Sequence, residues 1–106
     1  MIFFADAPRI IRLSPPEMKY NWCIGYEVLG NPLPELQWFI NGKPFNDTPS
    51  AYHSSSPDGI DNKTGCIMFT MTNSRHNGNY TLVATNSYGR SRKSVDADFI
   101  ASSSGE

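Results

Sequence analysis

The side chains best able to do chemistry in this sequence are Cys23, Cys66, His53 and His76, its only cysteines and histidines. Four such ligands raise zinc as a possibility, but structural zinc sites draw on closely spaced ligand pairs. No two of these four residues are that close in the sequence, so no zinc site is expected. Neither histidine has a nucleophile or carboxylate at a motif spacing, and no glycine-rich phosphate loop is present. No catalytic residue, no cofactor and no enzymatic activity are therefore expected of this segment. Asp58-Gly59 and Asp61-Asn62 could belong to a calcium loop, but the alternating acidic pattern is missing, and a polar loop accounts for them better. No metal is expected. Asn46-Asp47-Thr48, Asn62-Lys63-Thr64 and Asn79-Tyr80-Thr81 fit the N-glycosylation acceptor pattern. All three asparagines fall at loops or a strand end, where a glycan has room. Chance occurrence on a surface rich in Ser, Thr and Asn is the alternative.

The elements that must position these residues are short. The chain has 106 residues, 39% of them apolar. That length and composition suit one domain with one core. A formal net charge of −1 argues against nucleic acid as a partner. No apolar run of about 18 residues exists, so direct membrane insertion by this segment is not expected. Residues 1–7 are too short for a signal peptide and read as linker or expression-derived residues. Residues 8–100 hold the domain, and 101–106 (Ala-Ser-Ser-Ser-Gly-Glu) have linker composition.

Period-two alternation of apolar residues places strands at 8–13, 22–29, 36–40, 66–71, 78–86 and 90–100, with a short one near 51–54. Pro15-Pro16 interrupts the first, since neither residue donates to a ladder. Asn41-Gly42 is a hairpin signal. Residues 46–65 are expected to be largely irregular. Short strands at this spacing, with turn residues between them, predict an all-β sandwich.

The stretch 77–89 resembles strand F and the F–G turn of immunoglobulin-like domains. Tyr80, preceded by Asn77-Gly78 and followed by Asn86 and Gly89, stands where that family forms its tyrosine corner. Gly30, Pro32, Pro34, Leu36 and Trp38 resemble the strand B to C segment of intermediate-set domains. The resemblance implies two antiparallel sheets with Trp38 buried between them. In that pattern a cysteine lies twelve residues before the tryptophan and another two after the corner tyrosine. Here those places hold Tyr26 and Leu82. Both fill space by apolar packing, although a buried Tyr26 needs a hydroxyl partner.

Within that fold, Cys23 lies an odd number of residues from Tyr26 and so faces outward on strand B. Ile67 and Phe69 match the inward positions of strand E, which turns Cys66 and Met68 outward. Strands B and E are neighbours in the family, so Cys23 and Cys66 are candidates for a bridge on the solvent face of one sheet. Two free thiols in a cytosolic domain are the alternative.

A narrower resemblance rests on Trp22-Cys23-Ile24, Gly30-Asn31-Pro32, Trp38, Asn41-Gly42, Gly65-Cys66 and Asn77-Gly78-Asn79-Tyr80-Thr81-Leu82, in that order. Together they resemble the second, membrane-proximal immunoglobulin-like domain of the Trk neurotrophin receptor tyrosine kinases, over about residues 8–100. The resemblance implies the extracellular portion of a single-pass plasma-membrane receptor that captures a dimeric cystine-knot growth factor, with the tyrosine kinase elsewhere in the full chain. It also implies two ligand contacts. One is the sheet face around the exposed disulfide, with Met18, Trp22, Cys23, Gly25, Cys66 and Met68. The other is the loop end, with Thr70, Met71, Ser74 and His76. A strand-exchanged homodimer of the isolated domain is a further implication, with Pro15-Pro16 as the hinge.

The chain departs from that pattern at several of these positions. Gly25 stands where the family has proline, Ser74 where it has histidine, and His76 where it has asparagine. Trp22 shares the parity of Ile24 and Tyr26, which also makes it a core-edge residue. Met68 is equally a lone exposed apolar residue. The competing functions are a cell-adhesion module and a structural spacer, neither of which binds a growth factor.

Overall fold

A computed structural model describes residues 5–18, 21–57, 61–72 and 76–99. The strands are β1 (Asp6–Leu13), β2 (Glu17–Met18), β3 (Trp22–Asn31), β4 (Glu35–Ile40), β5 (Lys43–Pro44), β6 (Ala51–Pro57), β7 (Asn62–Phe69), β8 (Gly78–Asn86) and β9 (Gly89–Ala97). They form two antiparallel sheets. One runs β1-β3-β7-β6, with β2 also on β3, and the other runs β5-β4-β8-β9. Among the described residues no helix is long and apolar enough to cross a membrane.

The core between the sheets follows from side-chain parity. Ile24, Tyr26 and Val28 of β3 and Ile67 and Phe69 of β7 face Trp38 of β4 and Tyr80, Leu82 and Ala84 of β8, all buried. Alternation of buried and exposed residues is the mark of strands with one dry face. The Tyr80 hydroxyl donates to the His76 carbonyl at 2.7 Å. That bond closes the tyrosine corner. Asn41 and Gly42 turn β4 into β5 with φ of 51° and 82°. A two-residue type I′ turn requires just such a pair of positive angles.

The sequence and the structure differ at the polar elements. Pro15-Pro16 does interrupt the first strand, but pairing with β3 resumes beyond it. Leu13 lies opposite Tyr26, and Glu17 lies opposite Cys23. β1 begins at Asp6, inside the stretch assigned to linker. Residues 46–65, expected to be irregular apart from a short strand near 51–54, hold a longer β6 and the first half of β7. Their Ser, Asn and Lys content lacks an apolar period. The strands form because β3 supplies a partner for β7, and β7 one for β6.

β6 is the free edge of its sheet, and exposed edges invite foreign strands. The preceding loop covers part of this one. The Ala51 amide pairs with the Thr48 carbonyl at 3.2 Å, and the His53 amide donates to the Asp47 carboxylate at 3.1 Å.

Candidate ligand-binding face

The outer face of the five-stranded sheet carries the cysteines. Cys23 and Cys66 form a disulfide with a Cα separation of 5.6 Å. Cys23 lies opposite Met68, and Cys66 opposite Gly25, so the bridge runs diagonally between β3 and β7. Met68 is half-buried, and its Sδ sits 3.3 Å from Cys66 Sγ. A disulfide sulfur carries no proton, so this is a contact between two polarizable sulfurs, not a hydrogen bond. Tyr52 of β6, also half-buried, lies on the other side of Met68.

Gly25 is buried under the guanidinium of Arg12. A Cβ at position 25 would come within 2.9 Å of Arg12 Nη1. The guanidinium is held by the Ser14 hydroxyl at 3.1 Å and the Tyr26 carbonyl at 3.3 Å. Arg12, Glu17 and Tyr52 thus join the disulfide face, although nothing in their spacing signals it. Only the pairing of β1, β2 and β6 puts them there. Met18 lies opposite Trp22, and it is Glu17 that is level with Cys23.

The loop end is built on aromatic rings. Phe69 has its ring centroid 4.9 Å from Phe99, 5.9 Å from Tyr80 and 5.3 Å from His76. Trp22 meets Phe99 edge-on at 5.8 Å, so its ring extends the core, as its parity indicated. Burial lowers the pKa of His76. Thr70 is exposed, and its hydroxyl donates to the Pro49 carbonyl at 2.9 Å. Met71, 69% exposed, and Met18, 56% exposed, stand at this same end. Ser74 lies outside the described residues. Among those residues, no three side chains able to ligate a metal converge.

The three acceptor asparagines differ. Asn46 is exposed. Asn79 is exposed and donates from Nδ2 to Asp96 at 3.0 Å. Asn62 is half-buried and donates from Nδ2 to Glu27 at 2.8 Å, while its Oδ1 is buried without a partner.

In the core, the Tyr26 hydroxyl lies 2.6 Å from His53 Nε2. This is the hydroxyl partner that a buried Tyr26 needs, and it comes from a histidine the sequence left without a role.

A two-sheet sandwich with a tyrosine corner, a buried strand-C tryptophan and a disulfide moved to an outer face defines an immunoglobulin-like domain. The chain belongs to the immunoglobulin I-set family, whose model matches residues 23–97. Such a domain is a non-catalytic module. The chain is 33% identical over 93 residues to the NT-3 growth factor receptor of Mus musculus, which covers 88% of this chain and 11% of that receptor. It is 34% identical over 96 residues to the high affinity nerve growth factor receptor of Rattus norvegicus, covering 88% of this chain and 12% of the receptor. It is 38% identical over 102 residues to the BDNF/NT-3 growth factors receptor of Gallus gallus, covering 94% and 12%. The chain therefore spans about a ninth to an eighth of the length of these relatives. Among solved structures, titin M4 superposes with a TM-score of 0.70 at 20% identity, covering 91% of this chain and 98% of that one. The Down syndrome cell adhesion molecule superposes with a TM-score of 0.76 at 18% identity, covering 89% and 12%. At these identities the two structures speak for the fold alone.

Proposed function

We propose that this chain is the membrane-proximal immunoglobulin domain of a Trk-type receptor and captures a dimeric neurotrophin-like growth factor outside the cell. The observation that carries this reading is the relocated disulfide. Tyr26 and Leu82 fill the usual inter-sheet positions, both fully buried, while Cys23 and Cys66 bridge on the outer face, in a chain 33–38% identical to neurotrophin receptors. The tyrosine kinase of such a receptor would lie in another part of the full chain.

Two surfaces would meet the ligand. The disulfide with Met68 offers a small apolar anchor on a polar sheet, the kind of spot where a few residues carry most of an interface's energy. Met18, Met71 and Thr70 offer exposed contacts at the loop end. Glu17, level with Cys23, would steer a basic growth factor without setting affinity.

The test is surface-plasmon binding of the wild type and Met68→Asp to nerve growth factor, BDNF and NT-3. Met68→Asp sets an unpaired charge against an apolar segment of the ligand, at a cost of about 1–3 kcal/mol, roughly a five- to 150-fold loss. Equal affinities at unchanged melting temperature would remove the sheet face from the site. No binding of the wild type to any of the three would overturn the reading in favour of an adhesion or spacer module.

A further inference from the structure

The opposite face of the sandwich, on the four-stranded sheet, has no part in that reading. It forms a shallow trough of about 700 Å³ lined by Glu35, Gln37 and Phe39 of β4, Val83 of β8, and Arg90 and Arg92 of β9. The floor is low, with Thr81, Val83 and Thr85 along β8, and the long side chains stand on the two flanking strands. Among the described residues, Glu35, Arg90 and Arg92 are exposed, and their side chains form no hydrogen bond or ion pair within the chain.

The register gives this face a specific symmetry. Glu35, Thr85 and Arg90 lie in one row across the sheet, and Gln37, Val83 and Arg92 lie in the next. Each row runs from an acidic or amide side chain on β4, through a small residue on β8, to an arginine on β9. A two-fold axis laid along β8, between two copies placed face to face, exchanges β4 with β9 and leaves each row in place. Glu35 of one copy then stands over Arg90 of the other, and Gln37 over Arg92. Val83 and Thr85 meet their own symmetry mates. Closed two-fold contacts use one self-complementary patch in this way, and sheets pack face to face at about 10 Å. An axis laid across the strands at Val83 does not give these pairs. It would set Arg90 over Ser94 of the same strand rather than over a carboxylate.

We infer that this face binds a second copy of the same chain through reciprocal Glu35–Arg90 contacts about a two-fold axis along β8. The patch covers a few residues on three strands, so the contact is weak and reversible. Interfaces below about 1,200 Å² belong to transient encounters. Two copies held on one surface would raise their effective concentration into the range where such a contact forms.

The experiment is sedimentation equilibrium of the whole chain up to millimolar concentration. Wild type is expected to rise toward twice the monomer mass. Glu35→Arg and Arg90→Glu each place like charges opposite one another, and each should weaken self-association by about tenfold or more. An equimolar mixture of the two single variants should associate again, because each altered residue then has an opposite charge to face. The double variant should self-associate like wild type. Recovery in the mixture also shows that neither variant had failed to fold. Wild type that stays monomeric, or a dimer indifferent to these reversals, would overturn the inference. The second result is what exchange of β1 would give, since that dimer would keep the β1–β3 pairing and leave this face bare. Binding of some other extended or globular partner to the trough, with no self-association, would overturn it as well.

Discussion

The hydroxyl of Tyr26 and Nε2 of His53 lie 2.6 Å apart in the floor of the five-stranded sheet, beside the ring of Trp38. Tyr26 occupies a position that carries an inter-sheet cysteine in the wider family. A tyrosine there brings a polar atom into the core, and His53 satisfies it from the edge strand β6, reaching across β7. Burial pushes the Tyr26 pKa up to about 12, against a smaller opposing effect of the Ser55 side chain. Burial also lowers the pKa of His53, with Asp47 opposing that shift and Lys63 adding to it. Tyr26→Phe removes the hydroxyl and leaves the half-buried imidazole without this partner. It should cost about 1–3 kcal/mol by urea unfolding.

The same pair sets a pH dependence. His53 has a folded pKa below its unfolded value of 6.5, so the unfolded chain binds the proton more readily. Stability is then full above pH 6.5 and is lost as pH falls from there through the folded pKa. His76 shifts in the same direction and adds to the slope. Urea midpoints measured between pH 5 and 7.5 should fall toward the acid side, and His53→Gln should flatten that slope while leaving the His76 part. A variant with the wild-type slope would mean that His53 binds its proton equally well in the folded and the unfolded chain.

The bridge on the outer face should be separable from the core. It spans 43 residues of sequence. Chain-entropy arithmetic values a loop of that size at about 4 kcal/mol. Reduction, or the double change Cys23→Ala with Cys66→Ala, should lower unfolding stability by up to that amount. The near-ultraviolet dichroism of Trp38 should survive, because Cys23 and Cys66 stand on the outer face and are not members of the core cluster that holds Trp38. Loss of that signal on reduction under native conditions would show that the bridge holds the sheets together.

Glycan occupancy should separate two of the acceptor sites, Asn46 and Asn62. Asn46 is exposed, whereas Asn62 is half-buried with its amide nitrogen on Glu27. Glycopeptide mass spectrometry of protein secreted from eukaryotic cells should find Asn46 modified and Asn62 bare. Asn62→Gln should then leave the glycan pattern unchanged and lower stability by about 1 kcal/mol through the lost bond to Glu27. A glycan on Asn62 would require this end of β7 to open.

What the sequence made legible was local, periodic or carried by a family resemblance. The Asn41-Gly42 turn needs only two residues, whereas the corner at Tyr80 and the burial of Trp38 are implied by the resemblance to immunoglobulin-like domains. The parity of Cys23 against Tyr26 likewise put the disulfide outside. The parts that escaped depend on partners far along the chain. The second half of β6 and the start of β7 have no apolar period of their own, and β3 and β7 template them. Glu17, rather than Met18, comes level with Cys23 because pairing after Pro15-Pro16 resumes in a register no local pattern encodes. His53 reads as a lone histidine until β6 is docked, 27 residues from Tyr26 in sequence.

Gly65 shows how little room the sheet leaves beside the tyrosine at position 26. On β7 it lies opposite Tyr26 of β3 and opposite Ser55 of β6, at the centre of the sheet. A Cβ there would meet the Ser54 carbonyl oxygen, and it would come within 2.7 Å of the Tyr26 hydroxyl and 2.8 Å of Ser55 Cα. Gly65 does not have a positive φ, so space and not backbone geometry demands the glycine. Gly65→Ala should therefore cost about 3 kcal/mol, the upper end for over-packing. If crowding against the hydroxyl were the whole cause, Tyr26→Phe would rescue it. The nearest obstacle is the backbone of Ser54, which no side-chain change removes, so the double variant should remain at least as unstable as Gly65→Ala alone. Recovery in the double variant, measured by urea unfolding of both, would mean that β6 can move away from β7 and that the tyrosine hydroxyl alone excludes a side chain from this position.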